Sequence, residues 1–113
     1  MAGDRDVRHR LLDILNSIHL IQTRIYGLSR EDLDADTEKQ DSIERRLEII
    51  SEASRYVTDE MKALQPTIDW RSVAGIGNIL RHGHDILNVD RLWTLIQTDL
   101  DPLRLATLDL YER

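Results

Sequence analysis

The chain has 113 residues, enough for one helical core but not for two, so we expect a single domain over residues 1–113. A formal net charge of −6 argues against a protein that coats nucleic acid through bulk electrostatics, so any RNA would need a local basic patch. The absence of cysteine excludes disulfides, thiolate nucleophiles and cysteine-based zinc sites, and is compatible with a cytoplasmic protein. No apolar run approaches the length needed to cross a membrane.

The first element is a long amphipathic helix. Its apolar residues alternate spacings of four and three, which places them on one helical face over three heptads. These residues are Val7, Leu11, Ile14, Ile18, Ile21, Ile25 and Leu28. We predict that the helix ends at Gly27 and Ser29. An acid three residues after Ser29 predicts a capping box, a short helical turn and then an exposed loop.

A second long helix follows, with Asp36 or Thr37 as its N-cap. Its stripe also alternates four and three, at Ile43, Leu47, Ile50, Ser54, Val57, Met61 and Leu64. Gln65 and Pro66 should stop this helix, because the residue before a proline avoids helical dihedrals. Two antiparallel helices with matched apolar stripes would be the spine of a small bundle.

Three further helical segments are expected. Asp69 is a good N-cap for a third helix that ends at Gly83. Gly75 and Gly77 inside that helix cost about 1 kcal/mol each relative to alanine, so they indicate close packing or space for a ligand.

Asp90 can cap a fourth helix, and Asp101 before Pro102 resembles an N-cap followed by proline at the first helical position. We therefore expect a kink or restart there. The predicted class is all-α, an antiparallel bundle of four or five helices.

His82 is the strongest candidate for a catalytic residue. Asn78 lies four residues earlier on the same helical face, Arg81 flanks that face, and His84 follows the predicted helix end. The helix dipole favours a protonated His at this end, where it could exchange protons with RNA oxygens near neutral pH. A nearby cation would stabilise the charge that develops on the phosphate. The alternative is a His that caps the last carbonyls, and composition alone favours that role.

A metal site formed by His82, His84 and Asp85 is a further possibility. Residues two apart on a helix diverge, and catalytic zinc usually needs three protein ligands, so we expect no metal and no cofactor. Arg45 and Arg46 should belong to a solvated face of ion pairs, although one of them could reach across to His82.

The chain resembles the HepT-like family of HEPN domains, the toxin half of bacterial and archaeal toxin–antitoxin pairs. The resemblance covers nearly the whole chain, and its motifs are specific only in combination. They are residues 44–53, Pro66, Asp69, Trp70, residues 73–76, Asn78, Leu80, His82 and residues 90–93.

The resemblance implies an all-helical homodimer that cuts RNA without a metal. The family's motif is an Arg, four intervening residues and a His, usually followed by a Tyr at the second position. The motif's His falls on His82 and its Asn on Asn78. The family's partner is a nucleotidyltransferase antitoxin, which in some pairs adenylylates that Tyr.

This chain departs from the motif at two positions. Gly77 occupies the Arg position, and His84 occupies the Tyr position that is modified in the family. RNA cleavage would then need Arg81, Arg45 or Arg46 to supply the charge, and neutralisation by tyrosine modification at position 84 looks impossible. The segment of residues 85–88 is also slightly longer than in the family pattern.

Our first hypothesis is a homodimeric, HepT-like RNase toxin in which His82 is the acid or base, Asn78 orients the substrate or His82, and Arg81 binds phosphate. The second is a catalytically silent helical module that binds a nucleotidyltransferase, supported by Gly77. A metal-dependent hydrolase is the third, and a chelator would abolish its activity.

Overall fold

The computed structural model describes the backbone of residues 2–82 and 88–113, and the side chains of residues 6–80 and 88–113. These ranges contain seven helices and no strand, which confirms the all-α class. The helices are α1 (Ala2–Ile25), α2 (Arg30–Asp34), α3 (Thr37–Ser54), α4 (Asp59–Ala63), α5 (Trp70–His82), α6 (Val89–Thr98) and α7 (Leu100–Glu112). Five of them have ten residues or more, and α2 and α4 have five residues each.

The first helix, α1, is the centre of the bundle, since it packs against both α3 and α7. Its predicted apolar stripe is buried, with Leu11, Ile14, Ile18 and Ile21 fully inaccessible to solvent. The chain leaves the helix through Gly27, whose φ of 79° lies in the left-handed region that glycine adopts without strain. The stripe from Leu11 to Ile25 and the turn at Gly27 were therefore predicted correctly. Val7 is half-buried, and Leu28, also half-buried, lies beyond the end of α1.

The connection to the third helix also follows the prediction. Ser29 and Asp32 form the expected capping box at α2, which is one short turn. Hydrogen bonding to Ser29 holds the pKa of the Asp32 carboxyl below its ordinary value. The backbone N–H of Ser29 is the larger cause and its side chain the smaller. Asp36 then caps α3 by accepting the backbone N–H of Lys39.

The prediction of one continuous second helix as far as Gln65 was wrong. The helix α3 ends at Ser54, and a new helix, α4, begins after Thr58. The Thr58 hydroxyl accepts the backbone N–H of Met61, and acidic residues in the next turn complement the helix dipole. Val57 is nevertheless buried at its predicted stripe position. The apolar spacing thus continues across a break in the backbone.

The predicted N-cap of α5 is confirmed. Asp69 accepts the backbone N–H of Ser72 at 3.1 Å and the Ser72 hydroxyl at 2.7 Å. These hydrogen bonds, the one from the hydroxyl being the larger cause, hold the pKa of the Asp69 carboxyl below its ordinary value. From this start, α5 packs along α3.

Two other predicted N-caps were misplaced. Asn88, not Asp90, caps α6 by accepting the backbone N–H of Arg91, and Asp90 instead pairs with Arg30 of α2. The helix α7 begins at Leu100, so Asp101 and the following proline lie inside its first turn. The expected restart between α6 and α7 is present, with Asp99 as N-cap, two residues earlier than predicted. None of the described helices is both long enough and apolar enough to cross a membrane.

Candidate functional site

The candidate site lies on α5, whose register against α3 is fixed by one buried serine. Ser51 of α3 is 1% exposed. Its hydroxyl donates to the carbonyl oxygen of Ala74 at 2.8 Å and accepts the backbone N–H of Gly77 at 2.9 Å. Both hydrogen bonds reach the backbone of α5, so they hold the Ala74–Gly77 turn against α3 whatever side chain α5 carries there.

Arg55 reaches the same turn from the end of α3. It is the C-cap residue of that helix, one helical turn after Ser51, so both residues project from the same face. Its Nη2 atom donates to the carbonyl oxygen of Ala74 at 3.2 Å. The guanidinium group therefore lies beside the turn of α5 that contains Gly77.

The three predicted catalytic residues all lie on α5: Asn78, Arg81 and His82. Asn78 is exposed, in the middle of the helix, and the backbone of His82 completes its last turn. The spacing of four residues places these two positions on the same face of the helix, as predicted. The predictions that concern the side chains of Arg81 and His82, and all of Gly83, His84 and Asp85, lie outside the described residues.

Arg45 and Arg46 have other surroundings. Arg45 pairs with Glu48, three residues later, at 3.4 Å, and its side chain is 69% exposed, which agrees with the predicted solvated face. Arg46 lines a cavity of about 500 Å³ between α3 and α1, together with Asp13 and His19. No hydrogen bond or ion pair joins either arginine to the side chains of α5 that are described.

A larger cleft of about 690 Å³ separates α5 from α6 and the start of α7. Its floor is apolar and its edge carries polar and charged groups, among them Asp69, Arg91 and Asp99. The apolar lining includes Leu47, Ile50, Val73, Ile76, Ile79, Leu95, Leu100 and Leu103. Of these residues, the sequence analysis placed only Leu47 and Ile50 on an apolar stripe, and it did not predict a cleft between α5 and α6.

The metal hypothesis finds no support in the described part of the chain. Its side chains contain no group of three His, Asp or Glu residues placed to hold a metal ion. The residues first considered for such a site, His82, His84 and Asp85, have no described side chains.

Sequence reasoning missed Ser51 and Arg55. Ser51 was noted only as part of the family-like stretch of residues 44–53, and Arg55 was not considered at all. Their contacts with α5 span 23 and 19 residues along the chain, so no local spacing indicates them. Nothing else in the sequence distinguishes them, because Ser54, the residue before Arg55, keeps the four-and-three spacing of the stripe.

Comparison with known proteins identifies the class of this helical fold. A family model described as ribonuclease HepT-like matches residues 14–109, which include all of α3, α5 and α6. The chain therefore belongs to the HepT-like ribonuclease family, as its motifs predicted. No solved structure matches the chain.

Individual relatives agree with the family match. A protein of Thermococcus cleftensis, named as a probable ribonuclease HepT, is 33% identical over 100 residues, 88% of this chain and 91% of the relative. A candidate RNase of Methanocaldococcus jannaschii is 28% identical over 100 residues, 88% of this chain and 92% of its own. A candidate RNase of Caldanaerobacter subterraneus subsp. tengcongensis is 26% identical over 106 residues, 94% and 95% of the two chains.

Proposed function

We propose that this protein is a metal-independent endoribonuclease and the toxin of a toxin–antitoxin pair. The observation that carries the proposal is the match of residues 14–109 to a family of ribonucleases. The continuous helix α5 supports it, because the helix carries Asn78 and His82 four residues apart on one face.

The reaction needs proton transfer and charge stabilisation, but no metal. A base removes the proton from a ribose 2′-hydroxyl, the 2′-oxygen bonds to phosphorus, and the bond from phosphorus to the 5′-oxygen breaks. An acid then gives a proton to that 5′-oxygen, leaving a 2′,3′-cyclic phosphate. His82 is the acid or base, since an imidazole titrates near neutral pH. Asn78 orients the substrate or His82, and Arg81 binds the phosphate.

A homodimer is part of the proposal. Two copies that face each other through α5 would bring two His82 residues to one cleft, so one could act as the base and the other as the acid. The same arrangement would gather cations from both chains around the RNA, which matters because each chain has a net charge of −6.

The partner in this proposal is a nucleotidyltransferase antitoxin. Position 84 is His, not Tyr, so the hydroxyl that accepts a nucleotide in some family pairs is absent at that position. The antitoxin would then neutralise this toxin by another route, such as covering the dimer cleft.

The test is cleavage of single-stranded RNA by the purified protein in excess EDTA, beside the His82→Ala variant. We expect products with 2′,3′-cyclic phosphate ends from the unmodified chain only. The circular dichroism spectrum and the Tm of His82→Ala should match those of the unmodified protein. Equal cleavage by both proteins, or cleavage abolished by EDTA, would contradict the proposal.

Gly77 favours a second candidate function, a catalytically silent module that binds a nucleotidyltransferase. Without a cation at position 77, the chain would keep the helical scaffold and the partner surface but lose the chemistry. This candidate predicts a stable complex with the nucleotidyltransferase and no RNA cleavage at any protein concentration. Growth arrest on expression, relieved by His82→Ala, would favour the toxin.

A further inference from the structure

The starting point is the position of Arg55 relative to the residue that replaces the motif arginine. A helical side chain points back over the preceding turn, so a side chain at position 77 would be directed towards the level of residues 73 and 74. The Arg55 guanidinium, bonded to the carbonyl oxygen of Ala74, lies at that level. A cation is thus present beside α5 even though position 77 is glycine.

Ala74 also marks the relevant face of α5. Ala74, Asn78 and His82 follow one another at intervals of four residues, so they lie on one stripe of the helix. Eight residues at a rise of 1.5 Å separate Ala74 from His82 by about 12 Å along the axis. An RNA phosphate bound at Arg55 would therefore be a neighbour of the phosphate that reacts at His82, not the reacting phosphate itself.

Arg55 retains the capacity to bind an anion. Guanidinium has five N–H donors, and the contact with Ala74 occupies the Nη2 atom. The residue is exposed, and no carboxylate among the described side chains forms an ion pair with it. By contrast, Arg45 and Arg104 are each paired with an acid on their own helix.

We propose that Arg55 binds an RNA phosphate next to the one that is cleaved, in place of the cation missing at position 77. The Ala74 carbonyl and the C-terminal end of α3 hold the guanidinium beside α5, and its remaining N–H groups donate to the phosphate oxygens. This role rests on the proposed ribonuclease function, and it makes Arg55 a substrate-binding residue that adjusts KM more than kcat.

The experiment measures binding and cleavage separately for Arg55→Gln, Arg55→Lys and, as a control of equal charge change, Arg104→Gln on α7. Binding uses a single-stranded 2′-O-methyl RNA, which cannot be cleaved, at several salt concentrations. We expect Arg55→Gln to bind about tenfold more weakly, as for the loss of one charge-assisted hydrogen bond. The slope of the logarithm of its binding constant against the logarithm of salt concentration, the salt slope, should be shallower by about 0.7 for each phosphate that the variant no longer neutralises.

Cleavage of ordinary RNA should then show KM raised for Arg55→Gln with kcat nearly unchanged. Arg55→Lys should recover part of the affinity and the whole salt slope, because it keeps the charge but not the planar fork. Arg104→Gln should behave as the unmodified protein. A role confined to packing α3 against α5 would instead lower Tm and leave the salt slope unchanged, which would overturn the proposal.

The assay also separates the two proposals. If the unmodified protein cleaves RNA and Arg55→Gln matches it in affinity, KM and salt slope, Arg55 has no such role and the ribonuclease function stands. If the unmodified protein binds RNA without cleaving it, the binding data still decide the role of Arg55. If it neither binds nor cleaves RNA, both proposals are wrong.

Discussion

Ser51 shows how a single hydroxyl can align two helices. It is buried, and it is both donor and acceptor to the backbone of α5, at Ala74 and Gly77. Backbone groups cannot be removed by mutating α5, so Ser51 is the partner that can be tested. Truncating it leaves the buried Gly77 N–H without its side-chain partner, whereas the Ala74 carbonyl keeps the hydrogen bond from Arg55.

We expect Ser51→Ala to lower the free energy of unfolding by about 1 kcal/mol, the net contribution of a typical intramolecular hydrogen bond. Urea denaturation measures this. Ser42→Ala on the same helix is the matched control, because Ser42 is half-buried and should change stability by less than about 0.5 kcal/mol. Equal stabilities of the two variants would show that the Ser51 hydrogen bonds do not hold the helices together.

The residue scale is also where the sequence was least informative. Asn78 and His82 could be chosen as candidates because a helical spacing and a family motif both mark them. Ser51 and Arg55 could not, because their partners are backbone atoms of another helix. A serine or arginine that bonds a distant carbonyl looks, in sequence, like any other polar residue on a helix.

At the scale of the helices, apolar periodicity predicted which face of each long helix is buried, but it did not predict where the helices end. The four-and-three spacing located the buried faces of α1 and α3, since burial depends on that period. It could not show the break before α4, because Val57, within the connection, and Met61, on α4, keep the apolar spacing of α3. Where several residues can cap a helix, as Asn88 and Asp90 can, tertiary contacts decide. Asp90 forms an ion pair with Arg30, and Asn88 is the N-cap residue of α6.

The cap of α5 makes the stability of this helix depend on pH. The hydrogen bonds from Ser72 hold the pKa of Asp69 below its ordinary value, so the carboxylate stabilises the fold fully above about pH 4. That contribution is lost as pH falls through the lowered pKa, when the carboxyl protonates. Asp69→Asn keeps an acceptor at the N-cap but cannot titrate.

We therefore expect the Tm of the unmodified protein to fall more steeply than that of Asp69→Asn as pH is lowered from 6 to below about 4. Asp69→Ala, which lacks the cap, should have a lower Tm than both at neutral pH. Thermal melts followed by circular dichroism at each pH test this. Parallel Tm curves for the unmodified protein and Asp69→Asn would show that the cap does not titrate in this way.

At the scale of the whole molecule, net charge opposes the proposed homodimer. Each chain carries a formal charge of −6, so two copies repel each other and both repel RNA at long range. Local cations such as Arg55 and Arg81 act only at short range. Salt screens all of these interactions, but its effect on dimer formation is opposite in sign to its effect on binding phosphate.

This opposition predicts that cleavage passes through a maximum with salt when the enzyme concentration is below the dimer Kd. From about 0.01 to 0.15 M salt the screening length falls from about 30 to about 8 Å, so the repulsion between acidic chains weakens and more dimer forms. At higher salt, RNA affinity falls and cleavage falls with it. Well above the dimer Kd, only the fall should remain, and analytical ultracentrifugation at each salt concentration gives the dimer fraction independently. A cleavage rate that falls steadily with salt at low enzyme concentration, or activity from a chain that sediments as a monomer throughout, would show that the site is complete within one copy.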